Sequence, residues 1–289
     1  MRNIYHNMIA IGKLNSLKIV RTDDTEYMLS DSENEVSLPL SNITTPLTEG
    51  TEEVEVFVYT NKQGVLTATT KKPYARVGEF AYLKVVAENP NGVFMDLGIE
   101  KDLFVPTKEQ RLPMTKGKSY VVYVYLDSSN NHMVGSTKIY KYTEKEHINL
   151  NEGEEVDLLI FDETDLGYNA VINNQYTGLL YFNEVFEDLR VGHKRKAWVK
   201  KLYPDGKVDL SLQEQGYVHI LNTKETILNV LKKKGGQITL GDKSSPDDIY
   251  QTFKISKKAF KKAIGALYKE RLIRISDDTI ELVVDSLAD

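Results

Sequence analysis

Gly78 followed by Leu83-Lys84-Val85-Val86 answers Gly12 followed by Leu17-Lys18-Ile19-Val20, at a separation of 66 residues. Further along, Leu103-Phe104-Val105-Pro106 answers Val36-Ser37-Leu38-Pro39 at a separation of 67. A third copy lies 75 residues on, where Gly153 answers Gly78, Gly167 answers Gly92 and Gly192 answers Gly117. Each copy reads as strand, turn, strand, turn, strand, a glycine turn and a β-rich Val/Tyr run. Short β segments repeating at this period predict three small β-domains in series rather than one large core. Six anchors in register argue against coincidence.

The copies occupy residues 1–70, 71–145 and 146–216, and a segment of different character, 217–289, follows. A chain of 289 residues suits two or more domains. Four would each lie near the lower size limit for a self-sufficient core. There is no cysteine, which excludes a disulfide framework, a thiolate metal site and a thiol nucleophile. Residues 1–18 lack the apolar run of a signal peptide, and no run approaches the roughly 18 apolar residues of a membrane span. A soluble, cytoplasmic protein with no membrane partner is expected.

The net charge of −5 argues against indiscriminate nucleic-acid binding, but its distribution is uneven. Residues 1–70 carry 5 basic and 10 acidic side chains, and 71–145 carry 12 and 8. Residues 146–216 carry 7 and 14, and 217–289 carry 13 and 10. In the third copy the acids come early (Glu152, Glu154, Glu155, Asp157) and the bases late (Lys194, Arg195, Lys196, Lys200, Lys201). Such separation can hold a phosphate-attracting patch on an acidic protein. It is equally compatible with ordinary solvated surface.

Alternation sorts side chains onto faces. In the second copy Val93, Met95 and Leu97 form a core face, which leaves Phe94 outside. There an aromatic ring is either a domain contact or a stacking platform for bases. Near the end of the third copy, Arg195, Ala197 and Val199 alternate with Lys196, Trp198 and Lys200. The single tryptophan thus shares a face with two lysines, flanked by Lys194. Stacking worth about 1–3 kcal/mol per base, beside cations that hold phosphates, is how single-stranded nucleic acid is gripped. The competing reading packs Trp198 against a neighbouring domain under lysine stems.

The stretch Asn91-Gly92-Val93-Phe94-Met95-Asp96-Leu97-Gly98, followed by Leu103-Phe104-Val105-Pro106, resembles the central strands of the RNA-binding OB fold of ribosomal protein S-one. Leu189-Arg190-Val191-Gly192 resembles the glycine turn of the same domain. Three such copies with a helical C-terminal module resemble the conserved virulence factor B family of Gram-positive bacteria. That resemblance implies three OB domains, a winged helix, RNA binding and a role in regulating gene expression, virulence factors included. The stacking set of that OB fold, two aromatics three residues apart and a histidine on the next strand, is nowhere complete. The second copy has Asn91, Phe94 and Pro106 at those places; the third has Leu166, Asn169 and Tyr181; the first has Pro39 at the histidine place.

From Asn222 the period changes to 3.6. Asn222 and Glu225 read as a capping box, Ile227, Leu228, Val230 and Leu231 as an apolar stripe, and Gly235-Gly236 as the stop. Ser245-Pro246-Asp247-Asp248 reads as a second helix start. Ser256 should cap a third helix to about Arg271, burying Phe260, Ala263, Ile264 and Leu267. Leu272-Ile273-Arg274-Ile275 and Ile280-Glu281-Leu282-Val283 flank a Ser276-Asp277-Asp278 turn as a hairpin. With a short strand at Ile238-Thr239-Leu240, this is the order of a winged helix, whose third helix usually enters a DNA groove. Here that helix shows Lys257, Lys258, Lys261, Lys262 and Lys269, which suit phosphates. Base-reading Asn, Gln and Arg are nearly missing, and Asp277-Asp278 at the wing tip would repel a backbone. Sequence-specific DNA reading is set aside; nonspecific RNA contact and a solvated face remain.

Five dispersed histidines give no paired metal ligands, and neither a phosphate loop nor a nucleophile elbow occurs. The run Asp162-Glu163-Thr164-Asp165 reads as an exposed turn. No enzyme activity, metal or cofactor is expected. The expected fold is multidomain and mainly β, three OB-type five-stranded barrels and then an α/β winged helix. The expected partner is single-stranded RNA, contacted through Phe94, Tyr181, Lys194, Lys196, Trp198, Lys200, Lys257, Lys258, Lys261 and Lys262. The alternative is a protein-interaction adaptor whose Phe94 and Trp198 faces dock domains or partners.

Overall fold

The computed structural model describes residues 9–44, 46–48, 50–185, 187–213 and 217–283. Three closed five-stranded barrels follow one another. The first is built from β1 (Leu14–Thr22), β2 (Glu26–Ser30), β3 (Glu35–Pro39), β4 (Glu53–Thr60) and β5 (Leu66–Thr69). The second uses β6 (Phe80–Asn89), β7 (Gly92–Met95), β8 (Leu103–Pro106), β9 (Ser119–Leu126) and β10 (Met133–Ser136). The third uses β11 (Glu155–Thr164), β12 (Gly167–Ile172), β13 (Tyr176–Tyr181), β14 (Lys194–Leu202) and β15 (Val208–Ser211). In each, the third strand pairs parallel with the fifth and every other pairing is antiparallel. This is the five-stranded OB arrangement.

The repeat anchors have mechanical reasons. Gly12, Gly78 and Gly153 have φ of 74°, 87° and 86°. Their N–H groups donate to the carbonyls of Val58, Val124 and Val199, each at 2.7 Å. One left-handed glycine therefore fastens the entry of each first strand to its fourth strand. Gly92 and Gly167 serve close approach instead: a Cβ there would lie 2.3 Å from the Val105 carbonyl oxygen and 2.2 Å from that of Leu180. The first barrel carries Glu26 at this place, opposite Pro39.

Inward-facing residues fill each barrel: Leu29, Leu38, Val56 and Val58 in the first, Val85, Met95, Leu103 and Val122 in the second, Ile160, Ile172, Ala197 and Leu210 in the third. Each large aliphatic side chain removed from water contributes about 1.5–3 kcal/mol. Cores this small leave little margin, and the first barrel draws on its neighbour.

By compactness the chain divides into two units, Met1–Thr143 and Glu144–Asp289. In the first unit, the second half of β4, from Val56 to Thr60, is buried on both faces. Val54, Val56 and Val58 point into their own barrel. Phe57 and Tyr59 point out, yet they are fully buried in a cluster with Ala75, Leu97 and Met133 of the second repeat. The seam is also hydrogen-bonded. Val77 N–H donates to the Gly12 carbonyl at 2.9 Å, and Thr60 Oγ1 to the Asn131 carbonyl at 3.0 Å. Lys101 Nζ donates to the carbonyls of Thr60 at 2.6 Å and Asn61 at 3.2 Å.

The second unit holds the third barrel and the C-terminal module. The module comprises α1 (Tyr217–Lys233), β16 (Gln237–Ile238), α2 (Pro246–Phe253), α3 (Lys257–Lys269), β17 (Ile273–Ile275) and β18 (Ile280–Leu282). Its sheet order is β16-β18-β17, and Phe253, Phe260, Ile264, Leu267, Ile273 and Ile280 close its core. Ser245 Oγ accepts from Asp248 N–H at 3.1 Å and Ser256 Oγ from Ala259 N–H at 3.2 Å, the two expected caps. One expectation fails: α1 begins at Tyr217, not Asn222, so Asn222 lies within the helix. The polar spacing that resembled a capping box belongs to the helix interior. Of the connection expected at 213–221, positions 214–216 lie outside the described residues and 217–221 are helical.

Candidate nucleic-acid interface

Phe94 stands on the outer face of β7, half-buried, directly opposite Phe104 on β8. Their ring centroids are 5.1 Å apart at an interplanar angle of 40°. The corresponding cross-strand pairs are Met28 with Ser37 in the first barrel and Asn169 with Leu179 in the third. Only the second barrel therefore offers a two-ring surface here. Phe104 was legible from the Leu103-Phe104-Val105 alternation, which places it on the same side as Phe94.

On the third barrel, Ala197 and Val199 of β14 are buried while Lys194 and Lys196 are exposed and Trp198 is half-buried. Trp198 lies opposite Glu155 on β11 and Ser211 on β15. Lys196 is engaged by two carboxylates, Asp157 at 3.0 Å and Glu155 at 3.4 Å, and its hydrogen bond to Asp157 raises its pKa. Ion pairs this exposed are weak, so a phosphate can compete for the ammonium. A bulge between Val199 and Lys201 interrupts the pairing at Lys200. Beyond it, Lys201 Nζ sits 4.7 Å from the Tyr203 ring centroid, and Tyr203 Oη donates to Asp209 Oδ2 at 2.9 Å. That hydrogen bond pushes the Tyr203 phenol up, and Tyr181, at the end of β13, adds to the shift.

The first turn of α3 carries half-buried Lys257 and exposed Lys258; Lys261 and Lys262 follow, both exposed. Lys261 pairs with Asp242 at 3.0 Å. The wing turn folds onto the loop before α2: Lys243 Nζ lies 2.7 Å from Asp277 Oδ2, and Lys243 N–H donates to the Asp277 carbonyl at 2.9 Å. One wing carboxylate is thus neutralised locally. The expected residues fall into three groups: Phe94 on the second barrel, Tyr181 with the β14 residues on the third, and the lysines of α3.

The run 162–165 ends β11 and turns into β12, and Thr164 Oγ1 donates to the Gly167 carbonyl at 3.0 Å. Among the described residues no cluster of His, Asp and Glu is placed to hold a metal ion. Among the described residues no helix is long and apolar enough to cross a membrane.

Comparison with known proteins agrees with this architecture. Residues 11–71 and 77–138 match the S1 domain, and residues 225–282 match the CvfB-like winged helix domain. These are nucleic-acid-binding domain families. The chain is 30% identical over 282 residues to the uncharacterized protein YitL of Bacillus subtilis, covering 93% of this chain and 92% of that one. It is 25% identical over 283 residues to conserved virulence factor B of Staphylococcus epidermidis, covering 94% of each. Among solved structures, a multidomain protein with nucleic acid binding domains from Streptococcus pneumoniae is 25% identical, with a TM-score of 0.41, over 94% of this chain and 98% of that one.

Proposed function

The chain belongs to the conserved virulence factor B family, and from that premise we propose that it is a non-enzymatic, cytoplasmic RNA-binding protein that regulates gene expression, virulence factors included. Its four modules are 1–70, 71–145, 146–216 and 217–289. Single-stranded RNA is gripped by Phe94 on the second barrel, by Tyr181, Trp198 and Lys194, Lys196 and Lys200 on the third, and by Lys257, Lys258, Lys261 and Lys262 on the winged helix.

The observation that carries this reading is the Phe94–Phe104 pair, two rings on the outer face of a barrel whose inner face is already filled. Half-buried aromatics beside lysines suit stacking on bases, which tolerates any sequence because every base has a π-face. The lysines of α3 supply phosphate attraction without base-reading side chains.

A second reading, a protein-interaction adaptor, is favoured by one observation. Phe57, at the place in the first repeat that Trp198 holds in the third, is a buried domain contact. Salt separates the two. Anisotropy titrations with single-stranded RNA, duplex RNA and DNA should show single-stranded RNA bound most tightly, with log affinity falling linearly against log salt. Apolar docking would leave affinity nearly flat. A flat profile, or no RNA binding, overturns the proposal.

A further inference from the structure

Tyr268, near the end of α3, is 59% exposed in the midst of lysines. At 3.6 residues per turn, Lys258, Lys262, Gly265 and Lys269 form one stripe, with Lys261 and Tyr268 alongside it. The opposite face of α3 is the module's core, Phe260, Ala263, Ile264 and Leu267. Lys258, Lys262 and Lys269 make no ion pair among the described residues, and neither a ring contact nor a hydrogen bond engages the Tyr268 side chain there.

Gly265 lies at the centre of this face. Glycine costs helix stability relative to alanine, and a Cβ at this position would meet nothing within 4 Å. Among the described residues no neighbouring atom requires the missing side chain. Helical side chains lean toward the N-terminus over the preceding turn, which puts Tyr268 on the Gly265 side of the helix, and no atom of its ring comes within 4 Å of where a Cβ at Gly265 would stand. The result is an exposed ring bordered on one side by an open glycine position and by the ammonium groups of Lys258, Lys262 and Lys269.

We propose that Tyr268 is a base-stacking site for single-stranded RNA, with Gly265 giving the base room and Lys258, Lys262 and Lys269 holding the flanking phosphates. The inference rests on the RNA-binding reading above and places one contact within it. Charge complementarity selects a polyanion, and the ring selects one with unstacked bases. A duplex fits less well, because the exposed face of α3 lacks base-reading amides and guanidinium groups and the wing still carries Asp278 beside the neutralised Asp277.

The test uses the full chain and a fluorescein-labelled single-stranded RNA oligonucleotide, with the duplex of the same sequence as comparator. Tyr268→Ala should weaken single-strand binding roughly 5- to 150-fold and leave duplex binding unchanged, whereas Tyr268→Phe keeps the wild-type affinity. Gly265→Gln should raise the melting temperature of the module while weakening single-strand binding, two changes of opposite sign that a purely structural glycine would not produce. Wild-type affinity in Tyr268→Ala, or equal loss on single strand and duplex, overturns the stacking site and leaves the RNA-binding reading standing. No salt-sensitive RNA binding by the unsubstituted protein overturns both.

Discussion

Phe57 and Trp198 hold the same place in the repeat. Each lies on the fourth strand of its barrel, opposite the residue two positions after the anchoring glycine: Leu14 after Gly12 and Glu155 after Gly153. Tyr123, opposite Phe80 after Gly78, is the third member. Phe57 is buried under the second barrel. Tyr123 is covered by Tyr142 of the following segment, stacked at a centroid distance of 4.3 Å. An outward aromatic on the fourth strand is therefore a recurrent device, used twice to bind the protein's own chain. The third instance has lysines on its own strand, Lys194 and Lys196, where the first has Glu53 and Glu55.

That difference makes Trp198 a direct test of stacking. Trp198→Ala should weaken single-stranded RNA binding by about 1–3 kcal/mol, read by anisotropy in a variant whose circular dichroism is unchanged. Unaltered affinity together with a lowered melting temperature would assign Trp198 to packing, as for Phe57.

Phe57→Ala addresses stability alone. Emptying a fully buried phenylalanine site costs about 3–5 kcal/mol, a large share of the roughly 5–15 kcal/mol that holds a domain folded. Scanning calorimetry should show the loss in the transition of the unit Met1–Thr143, with that of Glu144–Asp289 unmoved. A shift in both transitions, or in neither, would contradict the seam.

The barrels were legible because β alternation and glycine spacing are local signals. Val93, Met95 and Leu97 are buried as their period requires, and Phe94 is outside. The winged-helix order followed from caps at Ser245 and Ser256. The start of α1 was not legible, because its first turn lies before the polar residues that resembled a cap. The burial of Phe57 and Tyr59 was hidden for a different reason. Val56-Phe57-Val58-Tyr59 is apolar on both faces, and only the long-range packing of one repeat on another says what covers the second face. The electrostatics of Lys196 were likewise nonlocal, since its partners Glu155 and Asp157 are adjacent only through strand pairing.

The seam should also respond to acid. Lys101 Nζ donates to His132 Nδ1 at 2.7 Å, which requires that imidazole nitrogen to be unprotonated. Burial, and then the Lys101 charge, lower the His132 pKa from its ordinary 6.5, while Asp127 opposes them. The folded seam therefore binds this proton less readily than the unfolded chain does. Its contribution is fully present above about pH 6.5 and is lost as pH falls through the lowered value. Burial also lowers the Lys101 pKa from 10.5, but that group stays charged across the acidic range and adds no slope there. The melting temperature of the first unit should fall between about pH 7 and 5, and His132→Gln should flatten that part of the profile. An equal slope in the variant would locate the acid sensitivity elsewhere.

The division of RNA binding along the chain can be read from its two compact units. The first repeat, with 5 basic and 10 acidic residues, repels phosphate, and cut out alone it would expose Phe57 and Tyr59. The informative fragments are therefore 1–143 and 144–289, which leave that seam intact. The second contains both the basic end of the third repeat and the lysines of α3. It should retain most of the affinity of the whole chain for single-stranded RNA at about 0.1 M salt, where the Debye length is near 10 Å. The first should bind weakly, through the Phe94 surface, and lose that binding on Phe94→Ala. If the two cationic surfaces of the second fragment form one groove, charge-removing substitutions on β14 and on α3 should combine non-additively in a double-mutant cycle. Purely additive losses would mean two separate contacts. Affinity residing in 1–143, or absent from 144–289, would sink the division.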